Sequence, residues 1–244
     1  MAAAAAAAAP AGKAALSISG LHAYYGESHI LHGMDFVVNR GECISLLGRN
    51  GAGRTTTLRA ILGLTGARRG SIKVRGRETI GLATHQVARL GLGYCPEERG
   101  IFSSLTTAEN LMLPPTLAKG GMPVEQIHAM FPNLRERAHS QGTRLSGGEQ
   151  QMLAVARILR SGARLLLLDE ISEGLAPVIV QKLAEMVLAL RGQGYTIVMV
   201  EQNFRFAAPL ADRFLVMEHG QVTQQFTQAE LPARMDTLHE TLGV

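Results

Sequence analysis

An α/β fold, with a parallel sheet and helices on both of its faces, is what this amino-acid sequence predicts, and three stretches predict it. Residues 165–170 read LLLLDE. A central parallel strand covered on both sides is apolar at every position, and open α/β sheets carry their polar chemistry at the carboxyl ends of such strands. Residues 44–47 lead directly into Gly48-Arg49-Asn50-Gly51-Ala52-Gly53, followed by a helix-like run over 56–62. The final third alternates strand and helix patterns, at 165–169, 178–190, 196–200, 204–210 and 214–218, which is the rhythm of a parallel sheet with crossover helices.

In chain order, residues 2–9 are alanine and Pro10 follows. Alanine favours helix, but eight residues are too few for a stable isolated one, so a disordered tail is expected over 1–14. From Ala15 to about Cys95 the chain is strand-rich, with turn signals at Gly63, Gly66, Gly70 and Gly76. Residues 98–160 read as mainly helical. Thr106 and Glu109 make a T-x-x-E capping pair, and Ser146 with Glu149 makes an S-x-x-E pair before the amphipathic run Met152, Val155, Ile158, Leu159.

The glycine loop is a phosphate site in its own right. Glycines let a polyphosphate approach the main chain, successive N–H groups turn toward one point, and the helix N-terminus adds positive potential. The pattern is G-x-x-x-x-G-K-[ST]; Thr55 would place its hydroxyl on Mg²⁺, and Arg54 stands where lysine is expected. A glycine turn without a ligand is the alternative for such a loop alone, and the strand before it and the acids downstream argue against that. Asp169 would hold Mg²⁺ through its water shell, while Glu170 would orient or deprotonate an attacking water. The string LSGGEQQ at 145–151 begins a capped helix and also offers bare N–H groups and a hydroxyl to an anion.

From about Leu16 onward, GRNGAGRT at 48–55, LSGGEQQ and LLLLDE together resemble the ATPase subunits of ABC transporters. GYCPEERGIFSSLTTAENL at 93–111, SEGLAP at 172–177 and VEQN at 200–203 narrow the resemblance to the subunits of branched-chain amino acid importers. It implies a P-loop, RecA-like ABC ATPase core over 15–97 and 161–244 with an antiparallel β subdomain. A helical subdomain would be inserted over 98–160, ending in the signature helix. ATP contacts would come from Gly48, Arg49, Asn50, Gly51, Ala52, Gly53, Arg54, Thr55 and Thr56, with Tyr25 stacked on adenine. The resemblance assigns Mg²⁺ to Thr55, Asp169 and Glu97, and catalysis to Glu170, Gln202 and Glu97. Ser146, Gly147, Gly148 and Glu149 would close on the ATP of a second ATPase subunit, identical or different, in a head-to-tail dimer. Motion would pass to transmembrane permease subunits through a groove near 97–105, with a periplasmic solute-binding protein acting indirectly and this chain at the cytoplasmic face of the inner membrane. On the residues alone, Tyr24 and Tyr25 are ordinary strand residues.

Several positions depart from the general family pattern. Glu97 replaces a glutamine, Gln202 a histidine and Ala176 an aspartate, as in the branched-chain subgroup. Ile171 replaces a proline and Arg54 the loop lysine, and these two fit neither comparison. Arginine brings a planar fork where lysine brings a compact point charge, so ATP binding is expected to be kept and hydrolysis slowed. Three readings stay open: an importer for branched-chain or related amino acids, a urea or short-amide importer, and a subunit that clamps ATP with little or no turnover.

Composition excludes other classes. A chain of 244 residues, 46% hydrophobic, can bury roughly three quarters of its unfolded surface, enough for one ATPase module. No apolar run approaches the ~18 residues needed to cross a bilayer, and the start lacks the features of a signal peptide, so a cytosolic protein held to the membrane by partners is expected. The net charge is +4, and 49–77 contains eight basic residues and no acid. Aromatic interleaving is absent and two of the eight lie in the glycine loop, so a phosphate-facing surface is expected and no nucleic acid. There is no second module, and no heptad run between the loop and the LSGGEQQ string. Cys43 and Cys95, in apolar strands, read as buried reduced thiols. The eight histidines form no ligand set on sequence; His29 and His32, three apart without a helix, read as surface or loop residues.

Overall fold

The computed structural model describes residues 14–117 and 120–242. The alanine tail lies outside these residues except for Ala14, which opens the first strand and so shortens the expected tail by one residue. The elements run β1 (Ala14–Tyr25), β2 (Ser28–Asn39), β3 (Cys43–Leu47), α1 (Arg54–Leu62), β4 (Arg68–Val74), β5 (Arg77–Glu78), α2 (Thr84–Ala88) and β6 (Leu92–Cys95). Then follow α3 (Thr107–Met112), α4 (Val124–Met130), α5 (Pro132–Glu136), α6 (Gly147–Arg160), β7 (Leu165–Asp169), α7 (Pro177–Gly192), β8 (Thr196–Val200), α8 (Phe204–Ala207), β9 (Arg213–Glu218), β10 (Gln221–Thr227) and α9 (Leu231–Leu242).

The strands form two sheets. The first is antiparallel, in the order β2-β1-β4-β5; the second has the order β10-β9-β3-β8-β7-β6, with five parallel strands and β10 antiparallel at the edge. β3, β7 and β8 are buried at every residue, as the LLLLD run requires. Their side chains alternate between two cores. Ile44, Leu46, Leu165, Leu167, Val198 and Val200 pack with Leu58 and Ile61 of α1 and with Leu16, Leu31 and Phe36 of the antiparallel sheet. Leu166, Leu168, Ile197 and Met199 pack with Met152 and Val155 of α6, Leu183 and Val187 of α7 and Phe206 of α8. Helices on both faces is therefore half of the answer. The short helix α1 cannot cover one face alone, and the apolar side of the β1–β2 hairpin, which must itself be buried, covers the rest.

Both capping pairs form. Thr106 Oγ1 accepts from the Glu109 N–H at 3.2 Å and Glu109 Oε2 accepts from the Thr106 N–H at 2.8 Å; Ser146 and Glu149 repeat this at 3.3 and 2.8 Å. α8 stops at Ala207, short of the expected 210, because Pro209 has no N–H to extend it. The edge strand β10 and helix α9 were not foreseen. Cys43 and Cys95 are buried free thiols, and burial pushes both up in pKa, Cys95 to about 12. His29 and His32 are not in a loop; they lie half-buried on β2. No helix among the described residues is long and apolar enough to cross a membrane.

Candidate functional site

The glycine loop joins β3 to α1 at the carboxyl end of the parallel sheet. At the cap of α1, Gly53 has φ 99°, and a Cβ there would lie 2.9 Å from Leu31 Cδ2, so both conformation and space require glycine. Arg49, Asn50 and Gly51 are exposed, Gly48 and Ala52 buried, and Thr56 half-buried on α1. Arg49 to Ala52 line a cavity of about 480 Å³ together with the end of β9 and His219. Thr55 Oγ1 donates to Asp169 Oδ1 at 3.0 Å, bringing loop and leucine strand together as expected. Tyr94 on β6 donates to Asp169 Oδ2 at 2.9 Å. Asp169 is 1% exposed; burial raises its pKa, opposed by the hydrogen bonds from Tyr94 and Thr55. A hydroxyl and carboxylate oxygens are the hard donors that Mg²⁺ takes, so this set fits the ion.

Arg54 is 5% exposed, and its guanidinium makes three hydrogen bonds inside the protein. It donates to Glu170 Oε1 at 2.9 Å, to Asn50 Oδ1 at 3.1 Å and to the main-chain oxygen of Glu201 at 2.9 Å. A rigid fork satisfies three acceptors on three segments; a lysine ammonium, with one nitrogen, could not hold the same arrangement.

Glu170 follows the last residue of β7 with φ 48°, a left-handed conformation unfavourable for glutamate, and its N–H is tied to Val200 O at 2.8 Å. Burial raises its pKa to about 7, the neighbouring Glu173 adds to this, and the Arg54 charge opposes it without prevailing. Oxygens of Glu97, Glu170 and Glu173 lie within 4.8 Å of one another. Glu97 therefore sits with Glu170, while Thr55 bonds directly to Asp169. Gln202, at the end of β8, lines with Glu170, Ser172 and Glu201 an open cleft of about 800 Å³.

Ser146, Gly147, Gly148 and Glu149 lie apart from this cluster in the hydrogen-bond pattern. Ser146 and Glu149 bond to each other, and Glu149 pairs with Arg137 at 3.7 Å. A Cβ on Gly148 would meet Ile179 Cγ2 at 2.7 Å, so glycine lets α6 start against α7. Tyr25 ends β1 and is 38% exposed.

Sequence reasoning missed Tyr94, Ser172, Glu173 and Glu201. Glu201 is 2% exposed; its carboxylate accepts from Ser172 Oγ at 2.7 Å and from the Ser172 N–H at 3.2 Å, and burial raises its pKa to about 8. A charged residue directly after the apolar strand 196–200 was the available signal, since such a residue is buried only when partnered.

The family model described as ABC transporter matches residues 31–173. The chain is 40% identical over 225 residues to the high-affinity branched-chain amino acid transport ATP-binding protein BraG of Pseudomonas aeruginosa, covering 88% of this chain and 94% of that protein. To the probable branched-chain amino acid transport ATP-binding protein LivF of Archaeoglobus fulgidus it is 34% identical over 215 residues, covering 86% and 91%. A solved structure described as the ATP binding subunit of an ABC transporter superposes with a TM-score of 0.80 at 26% identity, over 94% of this chain and 99% of the other.

Proposed function

This chain belongs to the ABC transporter family and is an ATPase with that family's P-loop fold, and on that premise we propose that it energises a membrane importer for branched-chain or related amino acids. The observation that carries the ATPase half is the convergence of Thr55, Asp169 and Glu170 where β3, β7 and β8 end. The substrate half is supported by the 40% identity to the BraG protein. We divide the chain into a nucleotide-binding core with its β subdomain, 15–97 and 161–244, and a helical subdomain, 98–160.

In this reading the loop residues 48–56 hold the phosphates and Tyr25 takes the adenine face. Thr55, Asp169 and Glu97 hold Mg²⁺, whose charge, when bound, stabilises the transferring phosphoryl group. Glu170 positions and deprotonates the attacking water; a carboxyl near pKa 7 suits a general base at neutral pH. Gln202 and Glu97 face the terminal phosphate. Ser146, Gly147, Gly148 and Glu149 complete the site of a second ATPase subunit, like or unlike this one. Transmembrane permease subunits, a solute-binding protein acting through them, and a position at the cytoplasmic face of the membrane complete the assembly.

A second reading rests on Arg54. Its bond to Glu170 engages the general base, which favours a subunit that binds ATP and turns it over slowly. The deciding experiment reconstitutes the chain with its permease partners in proteoliposomes containing Mg-ATP. ATP-dependent uptake of leucine, isoleucine or valine supports the importer; uptake of urea or a short amide instead replaces the substrate assignment; ATP binding with no turnover leaves the clamp.

A further inference from the structure

The antiparallel sheet carries a row of side chains that the nucleotide site does not use. His22 on β1 is the cross-strand partner of His32 on β2 and of Arg69 on β4, and Tyr24 is the partner of His29. In a regular strand His29 and His32, an odd number apart, face opposite sides. Here the pairing steps from Ala23↔Leu31 to Tyr24↔His29, so that Ile30 is an extra residue in β2 and returns His29 to the face of His22 and His32. Nδ1 of His22 lies 3.0 Å from Nε2 of His29. The His29 ring lies 3.9 Å from that of His32 and stacks at 4.3 Å on Tyr24.

Two imidazoles and a guanidinium surround His29. Partial burial, followed by His32, His22 and Arg69, holds His29 below the ordinary histidine range. The neutral ring is the form that binds zinc, copper or nickel. Two nitrogens held at ~2.1 Å from one tetrahedral ion are about 3.4 Å apart, so the His22–His29 pair has to open by about 0.4 Å, tilt both rings toward the ion and give up the proton it shares. The hairpin turn at Gly26 and Glu27 fixes both strands, so the pair is preorganised by the sheet.

We propose that His22 Nδ1, His29 Nε2 and, by a turn of its side chain, His32 form a binding site for one divalent transition-metal ion of the zinc class. None of the residues assigned to ATP belongs to it, so the site stands or falls apart from the proposed function. Arg69 is the opposing element, a fixed positive charge beside the ion, partly occupied over the Tyr24 ring at 6.0 Å.

The test is calorimetric titration of the metal-stripped full chain with zinc chloride, without nucleotide. One equivalent per chain is expected at a micromolar Kd, about −8 kcal/mol. His29→Ala should weaken binding tenfold or more and His32→Ala less, while Arg69→Ala should tighten it; acidification below about pH 6 should release the metal. The thermal shift with Mg-ATP checks that each variant is folded, and His29→Gln replaces any alanine variant that is not. Absence of saturable zinc binding in the wild type, or binding unchanged in a folded variant lacking both His22 and His29, overturns the proposal and leaves the pair as a plain imidazole hydrogen bond.

Discussion

The two halves of the nucleotide machinery are built in opposite ways. At the phosphate loop, Arg54 is buried and spends its guanidinium on Glu170, Asn50 and the Glu201 main chain, and the glutamate it holds has a strained backbone. At the start of α6, Ser146 and Glu149 cap each other across an exposed helix end, with Arg137 beside Glu149, and the N–H groups of the two glycines begin the helix. The first half turns its charge inward; the second leaves Ser146 exposed. In the head-to-tail pair we propose, each subunit would own one half-site and lend the other. On that proposal the contrast favours a subunit that completes a partner's site over one that runs its own.

The largest test of this contrast is Glu170→Gln. Loss of a general base should lower kcat about a hundredfold or more while Mg-ATP still raises the melting temperature; wild-type turnover in this variant would place the base elsewhere. Next is Arg54→Lys, which gives up the three-way hold on the catalytic corner and restores a point charge. It should raise kcat about tenfold, or ~1.4 kcal/mol, with little change in KM in the assembled transporter. Unchanged or slower turnover would mean the loop is adapted to arginine, and the two halves would then be equals.

Ser146→Ala probes the open half. Loss of the cap should cost about 1 kcal/mol, a few degrees in Tm. In a mixed complex it should slow hydrolysis at the partner's site and leave this subunit's own site unaffected. The smallest effect on turnover belongs to Glu201→Gln, which is read in stability instead. Burial raises the Glu201 pKa from 4.5 to about 8, so between these values the folded chain holds a proton that the unfolded chain has released. Stability therefore falls as pH rises through that window, by at most about 1.4 kcal/mol per unit. Glutamine, permanently neutral, should flatten that part of the profile in urea unfolding measured at several pH values, with a difference near zero at the acid end. A slope as steep in the variant as in the wild type assigns the dependence to Glu170 instead.

What could be read in the sequence was local. The glycine loop, both capping pairs and the leucine strand are set by neighbours within a few residues, and they form as expected. β10 reads QVTQQFT, too polar for a strand signal, because it is an edge with only Phe226 buried. The partners of Arg54 at positions 170 and 201, and of Asp169 at 94, depend on how β6, β7, β8 and the loop end side by side, which no spacing records. The histidine row needed the extra residue at Ile30, which inverts the facing that sequence parity gives.

The left-handed backbone at Glu170 has a consequence for anyone improving this protein in the laboratory. Glycine or asparagine would occupy φ 48° with less strain, but either would also remove the half-buried acid that pairs with the buried Arg54. A selection for heat resistance alone therefore meets two opposed effects at this position, about 1–3 kcal/mol of backbone strain relieved and about 3–5 kcal/mol lost where the buried Arg54 charge is left unpaired, and it should retain the acid. Library designs should therefore hold position 170 fixed and search for thermal gains in the sheet and helices around it.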